Sequence, residues 1–318
     1  MRRSLENWPE FVRRALSLSI DLPDFPRLAN TVILGMGTPN AVGGILEPWS
    51  RVPLIAIDDW TLPLWVGKET LVLALSYSGN TGEVLATTEQ SLEREANIIA
   101  ISSGGKLHEL GTKKSFPTIT FEPVGRSGHS FPYLFLLSGR VLNRLGLLDF
   151  NIDSKKLIET LKAIWVRQDW IDIGELLNRS RQLVVCGGQN IAGLVTWLKH
   201  CLNENAKKIV IPLIVPEANH GEVEAFTELD SNDAIIILRE RSSETEWTTK
   251  SLETYKEMLT ERGLSIIELN AEEPFRVNNT LCLAFQGILI SFWLALFQKI
   301  DPTPLPRIDI MKKTLTET

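Results

Sequence analysis

The chain is short of the residues that would place it in several large functional classes. Only three of its 318 residues are cysteine, Cys186, Cys201 and Cys282. They are far apart and set among apolar neighbours, which excludes a disulfide framework or a cysteine-based zinc site and predicts buried thiols in a reducing, cytoplasmic setting. Histidine is almost as scarce, and the four present, His108, His129, His200 and His220, show no metal-ligand spacing, so no metal is expected. Lysine and arginine number 33 against 39 acidic residues, a formal net charge of −6. Without a basic block the electrostatic footprint of a nucleic-acid binder is missing. No apolar core separates Arg2 and Arg3 from Glu6 and Glu10, so no secretory leader is expected. The longest apolar run, Leu281 to Phe297, is slightly short for a membrane span and contains Gln286 and Ser291; it reads as a buried helix, with a membrane span as the alternative. A complete dinucleotide fingerprint is also absent. Asn40 stands where Gly35-Met36-Gly37 would need its third glycine, and Cys186-Gly187-Gly188-Gln189 does not supply one, so no cofactor is expected.

What is present is the composition of a soluble globular protein, 44% apolar and 23% charged, long enough for two domains. After a helical segment around Glu10 to Leu18, strand candidates alternate with helical patterns. The strands are Thr31–Leu34, Val52–Ala56, Leu71–Leu75, Asn97–Ile101 and Pro117–Thr120; the helices are Asn40–Leu46, Gly82–Glu95, Lys106–Gly111 and Ser130–Arg144. A second cycle follows the connection at Leu148–Asp153. Its strands are Gln182–Cys186, Lys208–Ile211, Ala234–Leu238 and Leu264–Glu268, and its helices are Ile191–Asn203, Glu222–Thr227, Glu246–Arg262 and Asn278–Gln298. Such alternation predicts an α/β protein of two domains, 1–150 and 151–318, each a mostly parallel sheet covered by helices on both faces with ligands at the carboxyl ends of the strands.

Four constellations carry chemistry. Ser76-Tyr77-Ser78-Gly79-Asn80-Thr81-Gly82 joins a continuously apolar strand to a helix. Ser78, Asn80 or Thr81 is expected to cap that helix, and the hydroxyls of Ser76, Ser78 and Thr81, with the free N–H groups and positive end of the helix, suit a phosphate. An ordinary capped turn with no ligand fits the local pattern equally well. Gly125-Arg126-Ser127-Gly128-His129 places Arg126 where its planar, permanently charged fork could reach over the sheet edge to an oxyanion, or lie on the surface. Glu204 ends a helix, where the negative dipole end favours a raised carboxyl pKa useful in a base; a solvated helix end with Lys207 as compensation is the alternative. Pro216-Glu217-Ala218-Asn219-His220 presents His220 after a strand, where it and Glu204 could face one crevice. The Asp301-Pro302-Thr303-Pro304 segment leads into a tail helix, Ile308–Leu315, carrying Lys312 and Lys313.

Together, Ser76–Thr81, Asn203–Lys207, Pro216–His220 and Asp301–Pro304 with Lys312 resemble the bifunctional phosphoglucose/phosphomannose isomerase family, a branch of the sugar isomerase (SIS) domain proteins, over nearly the whole chain. The resemblance implies two flavodoxin-like SIS domains and metal-free interconversion of glucose 6-phosphate or mannose 6-phosphate with fructose 6-phosphate. Ser76, Ser78 and Thr81 would then hold the phosphate, with Gly37, Asn40 and Tyr77 as further candidates for substrate contact. His220, helped by Lys312, would open the ring; Glu204 would move the proton between C2 and C1 through a cis-enediol; Arg126 would stabilise the enediolate. It also implies a homodimer in which His220 crosses to the partner's site. Two departures stand out: Thr38-Pro39-Asn40 replaces the family's Gly-Gly-Ser run, and Trp197-Leu198-Lys199 replaces an Arg-Trp pair before the lysine. A non-catalytic phosphosugar-binding protein is the competing expectation. A helix-turn-helix regulator and an amidotransferase, which would need a basic domain and a glutaminase domain, are not expected.

Overall fold

The computed structural model describes residues 1–316. The chain divides into two compact units: Asn7–Phe150 with Leu305–Thr318, and Asn151–Pro304 with Met1–Glu6. The change of unit falls at 150/151, and each terminal segment is grouped with the other unit. Helix α1 (Arg2–Glu6) buries Leu5 with the C-terminal unit, while the tail is grouped with the N-terminal one.

In the N-terminal unit, α2 (Trp8–Ser17) buries Trp8, Phe11, Val12 and Ala15 and turns Glu10, Arg13 and Arg14 outward. Strand β1 (Asn30–Leu34), α3 (Thr38–Leu46), β2 (Leu54–Ile57), β3 (Thr70–Ser76), α4 (Gly82–Glu93), β4 (Asn97–Ser102), α5 (Gly105–Lys114), β5 (Thr118–Thr120) and α6 (Phe131–Arg144) follow. All strand pairs are parallel, in the order β2-β1-β3-β4-β5, the flavodoxin-like arrangement. Every residue of β3 is buried, as a strand covered on both faces requires. Val84 of α4 and Leu107 of α5 pack with Val32, Val72, Ala74 and Ile98 on one face. Gly43 of α3 lies against Ala56 and Ile33 on the other, where a β-carbon would come within 2.6 Å of the Ala56 side chain. Nearly all of α6 is buried, and its Phe131 stacks on Trp8 and its Tyr133 on Phe121.

The C-terminal unit begins with two helices, α7 (Ser154–Trp165) and α8 (Asp169–Arg179), in a stretch to which the sequence pattern assigned no element. Their apolar stripes are narrow, Leu157, Leu161 and Ile164 in α7, and lie among lysines and glutamates. Then come β6 (Leu183–Gly188), α9 (Ala192–Ala206), β7 (Val210–Val215), β8 (Ala234–Glu240), α10 (Glu246–Glu261), β9 (Ser265–Ala271) and α11 (Arg276–Phe297). This sheet is parallel in the order β7-β6-β8-β9. Glu222–Glu228 forms a 3-10 segment rather than an α-helix, and of it only Phe226 is buried. Leu252, Tyr255 and Leu259 of α10 cover one face of the sheet. Helix α11 is long and apolar enough to cross a membrane but is buried along most of its length, packed on α7, α8, α9 and β9 as a core helix. All three cysteines are buried and unpaired, and burial pushes the Cys186 and Cys282 thiols up to about 12.

Arg239 of β8 has no exposed surface. Its fork donates to both Glu244 oxygens at 2.8 and 2.6 Å and to Glu253 at 2.6 Å. Burial alone would lower the guanidinium pKa, but these carboxylates outweigh it and raise it. The tail helix α12 (Pro306–Thr316) is exposed over its described side chains.

Candidate active site

In the first sheet the connections run in opposite senses from β1 and β3, so the crevice beyond their carboxyl ends is the expected ligand position. Two βα turns border it. After β1, Gly37 takes a φ of 65° as the N-cap of α3. The helix starts at Thr38, two residues earlier than the pattern suggested, because Pro39 is tolerated in a first turn where its missing N–H is not needed. Asn40 Nδ2 donates to Asp58 Oδ2 at 2.6 Å, so this amide is engaged within the protein.

The turn after β3 is held from below. Gly79 has a φ of 69°, and a β-carbon there would run into the Gly104 carbonyl oxygen. Asn80 Oδ1 accepts from Lys106 N at 3.1 Å, and Gly79 O accepts from Leu107 N at 2.9 Å, which ties the turn to the start of α5. Within the turn, Ser76 Oγ and Thr81 Oγ1 lie 2.8 Å apart, and the Ser76 Oγ, on a buried residue, accepts from Gly79 N at 3.1 Å. Ser78 is exposed and its Oγ accepts from Asn80 N at 3.2 Å. Thr81 is the N-cap of α4, yet no side chain caps that helix. The expected cap is not made because the Thr81 hydroxyl is drawn to Ser76 and the Asn80 amide to α5. The first N–H groups of α4 are thus open to an anion at the positive end of the helix.

Trp60 lies over this helix start. A β-carbon on Gly82 would come within 2.9 Å of the Trp60 ring, and Gln90 Nε2 anchors the Trp60 carbonyl at 2.7 Å. Nothing in the sequence marked Trp60, because it sits in an irregular loop after an edge strand.

Tyr77 turns its hydroxyl away from the crevice. It donates to Gly125 O at 2.8 Å and accepts from Val124 N at 3.0 Å, pinning the segment that presents Arg126. Burial raises the Tyr77 pKa, so the phenol stays protonated. Its carbonyl is held separately by Ser103 N at 2.9 Å and Ser103 Oγ at 2.6 Å. Arg126 is half-buried, and next to it His129 Nδ1 accepts from Arg126 N at 3.4 Å. Burial, reinforced by the Arg126 charge, pushes the His129 pKa down to about 4, so its imidazole is neutral near pH 7.

The other candidates belong to the C-terminal unit. Glu204 is half-buried in the last turn of α9, which Lys207 closes with a φ of 54°. Lys207 Nζ donates to the Glu204 backbone carbonyl and, at 2.9 Å, to Pro304 O. Asn205 Nδ2 donates to Ser291 Oγ at 2.9 Å and fixes this helix end to α11. His220 is exposed beyond β7, and its N–H donates to Glu217 O at 2.9 Å. Because β6 and β7 are parallel, α9 must run back along the sheet, so Glu204 sits at the amino edge of β7 and His220 beyond its carboxyl edge. Six residues of strand separate those edges by roughly 20 Å. Glu204 and His220 of one chain therefore do not face one crevice, contrary to the sequence expectation. Lys312 lies on α12, in the segment grouped with the N-terminal unit. Among the described residues, no three His, Cys, Asp or Glu side chains gather as a metal site.

Two flavodoxin-like sheets, with a hydroxyl-lined βα turn in the first, give the chain an SIS-type fold. Residues 174–315 match the family described as the bacterial phospho-glucose isomerase C-terminal SIS domain. A bifunctional phosphoglucose/phosphomannose isomerase of Caldicellulosiruptor bescii is 27% identical, covering 100% of this chain and 99% of that protein. A D-glucosamine-6-phosphate 4-epimerase of Sulfolobus acidocaldarius is 28% identical over 75% of this chain and 76% of its own. Among solved structures, the C-terminal domain of glucosamine-fructose-6-phosphate aminotransferase from Francisella tularensis shares the fold, with a TM-score of 0.71 at 16% identity, covering 96% of this chain and 97% of that one. Further bifunctional phosphoglucose/phosphomannose isomerases, of Thermoplasma volcanium and Aquifex aeolicus, are 25% and 27% identical, each over 89% of this chain and 90% and 89% of their own, so the chain resembles that family over most of its length.

Proposed function

We propose that this protein is an aldose-ketose isomerase that interconverts glucose 6-phosphate, mannose 6-phosphate or both with fructose 6-phosphate. The observation that carries this reading is an uncapped, hydroxyl-rich helix start at a sheet's ligand position in a chain that matches a bifunctional isomerase over its whole length. Aldose and ketose are isomers, so the conversion needs no electron acceptor, only proton transfers placed at the right atoms.

In this reading Ser76, Ser78 and Thr81 bind the phosphate together with the first N–H groups of α4. His220, assisted by Lys312, moves the protons that open the ring. Glu204 takes the C2 proton and delivers it to C1 through a cis-enediol, and Arg126 stabilises the charge that grows on the enediolate oxygens, an interaction strongest in the transition state. The chain works as a homodimer in which His220 serves the partner's Glu204, a role favoured by the distance between the two residues within one chain. Buried, unpaired cysteines suit a cytoplasmic enzyme. No metal takes part.

A second reading, an amino-sugar 6-phosphate as substrate, is favoured by the similarity to the 4-epimerase. One assay separates the two. Fructose 6-phosphate, mannose 6-phosphate and glucosamine 6-phosphate are each supplied with a chelator, and the products are resolved by coupled dehydrogenase or chromatography. Conversion of the first two supports isomerisation; turnover of glucosamine 6-phosphate alone replaces it with the second reading. Phosphosugar binding without turnover of any of them would make the chain a binding protein.

A further inference from the structure

The two units use the same turn twice, and only one copy is open. In the first sheet, β3 ends at Ser76 and Thr81 is the N-cap of α4, which begins at Gly82. In the second, β8 holds the equivalent place in the strand order, ends at Glu240, and Thr245 is the N-cap of α10, which begins at Glu246. The spacing aligns Ser76-Tyr77-Ser78-Gly79-Asn80-Thr81 with Glu240-Arg241-Ser242-Ser243-Glu244-Thr245. The backbone repeats as well. Gly79 N donates to Ser76 O at 3.2 Å and Ser243 N to Glu240 O at 3.1 Å; Leu85 N donates to Thr81 O and Thr249 N to Thr245 O, both at 3.0 Å.

The side chains differ in one consistent way. Where the first turn has the small Ser76 hydroxyl, the second has the carboxylate of Glu240, a residue only 1% exposed. Its two oxygens accept from the hydroxyls of Ser242 and Ser243 and, at 2.6 Å, from Asn279 Nδ2. Arg276 Nε lies 3.8 Å away and adds positive charge to the same place. Asn190, from the turn after β6, donates to Ser243 Oγ at 2.7 Å, and the Thr245 side chain caps α10 by accepting from Thr248 N at 3.1 Å. In the first turn the corresponding threonine leaves its helix uncapped. Hydroxyls, an amide and a guanidinium converge on a negative group in the second turn, and that group is the chain's own.

We propose that the turn after β8 is a duplicate anion cradle permanently filled by the Glu240 carboxylate, which restricts the chain to one phosphate-binding turn. The inference extends the assignment of the Ser76–Thr81 turn to phosphate, but its test reads a difference. Glu240→Ser removes the built-in carboxylate and restores the serine found at the aligned position. Inorganic phosphate is titrated into the full-length wild type and variant by calorimetry, and sites per chain are counted. The expected result is one more site in Glu240→Ser than in wild type, lost again when Ser242→Ala is added. Equal counts in the two proteins, or two sites already in wild type, overturn the proposal. No site in wild type with one in the variant supports it while refuting the phosphate role of the first turn. Should Glu240→Ser be unfolded, refolding in phosphate is compared with refolding in chloride at equal ionic strength. Recovery specific to phosphate supports a vacated anion cradle, and no difference between the salts overturns it.

Discussion

Tyr77→Phe isolates the link between the proposed phosphate turn and Arg126. The substitution keeps the ring against Phe121 but deletes the hydroxyl that joins Val124 N and Gly125 O. Gly125 is exposed and water can replace the lost donor at its carbonyl. Val124 is buried, and leaving its N–H without an acceptor costs about 1–3 kcal/mol. A loss of about 2 kcal/mol, read as a melting shift of roughly 4–8 °C for a unit of this size, is the stability expectation. The kinetic expectation is more specific. Ser103 still holds the Tyr77 carbonyl, so the phosphate turn stays in place and KM should change by less than about twofold, while the loosened Arg126 segment lowers kcat. Deleting an oxyanion donor outright costs about 10²–10³ in kcat, so a displaced but present arginine should cost about tenfold. Thermal melting and steady-state kinetics on fructose 6-phosphate measure both. A raised KM with unchanged kcat would mean the hydroxyl serves the substrate directly; a lowered melting temperature with unchanged kinetics would remove Arg126 positioning from the account.

Glu204→Gln should lower turnover by roughly 10²–10⁴ while fructose 6-phosphate still binds, because the amide cannot accept the C2 proton; kinetics and calorimetry on one preparation check this. Gly79→Ala should destabilise the chain by more than about 1 kcal/mol in denaturant unfolding and weaken phosphosugar binding, since alanine disfavours the positive φ and its methyl meets the Gly104 carbonyl. For His129, the folded pKa near 4 lies below the ordinary 6.5. Stability is therefore full above pH 6.5 and falls as the pH drops toward 4, because only the unfolded chain takes up the proton. The contribution is at most about 3 kcal/mol. His129→Asn, which keeps an acceptor for Arg126 N, should flatten that part of the stability-pH curve relative to wild type.

Much of the fold is legible in the apolar runs. Leu71–Leu75 and Ala234–Leu238 are continuous because parallel strands here are buried on both faces, and each extends in the structure to a polar residue, Ser76 or Glu240, at the ligand edge. Helices α7 and α8 escaped because their buried stripes are thin against a charged background. The termini escaped because no local pattern says which unit a short helix will pack on. At the site, Ser76–Thr81 was legible as a turn of hydroxyls before a helix. The commitments of those groups were not: Asn40 to Asp58, Tyr77 to the Arg126 segment and Asn80 to the start of α5 depend on contacts far apart in sequence. The spacing of Glu204 and His220 misled because sixteen residues of chain count for little when a helix end and a strand lie between them. The repeat of the two turns was hidden because a glutamate stands in for a serine.

The proposed chemistry is proton transfer between C2 and C1 of a phosphosugar anchored at the Ser76–Thr81 turn. Fructose 6-phosphate incubated with the protein in deuterated water containing a chelator, and followed by NMR, tests it most directly. Isomerisation by this route puts deuterium at C2 of the glucose or mannose 6-phosphate formed and exchanges hydrogen at C1 of the ketose, and both are lost in Glu204→Gln. Binding of fructose 6-phosphate with no deuterium entering any carbon would contradict it.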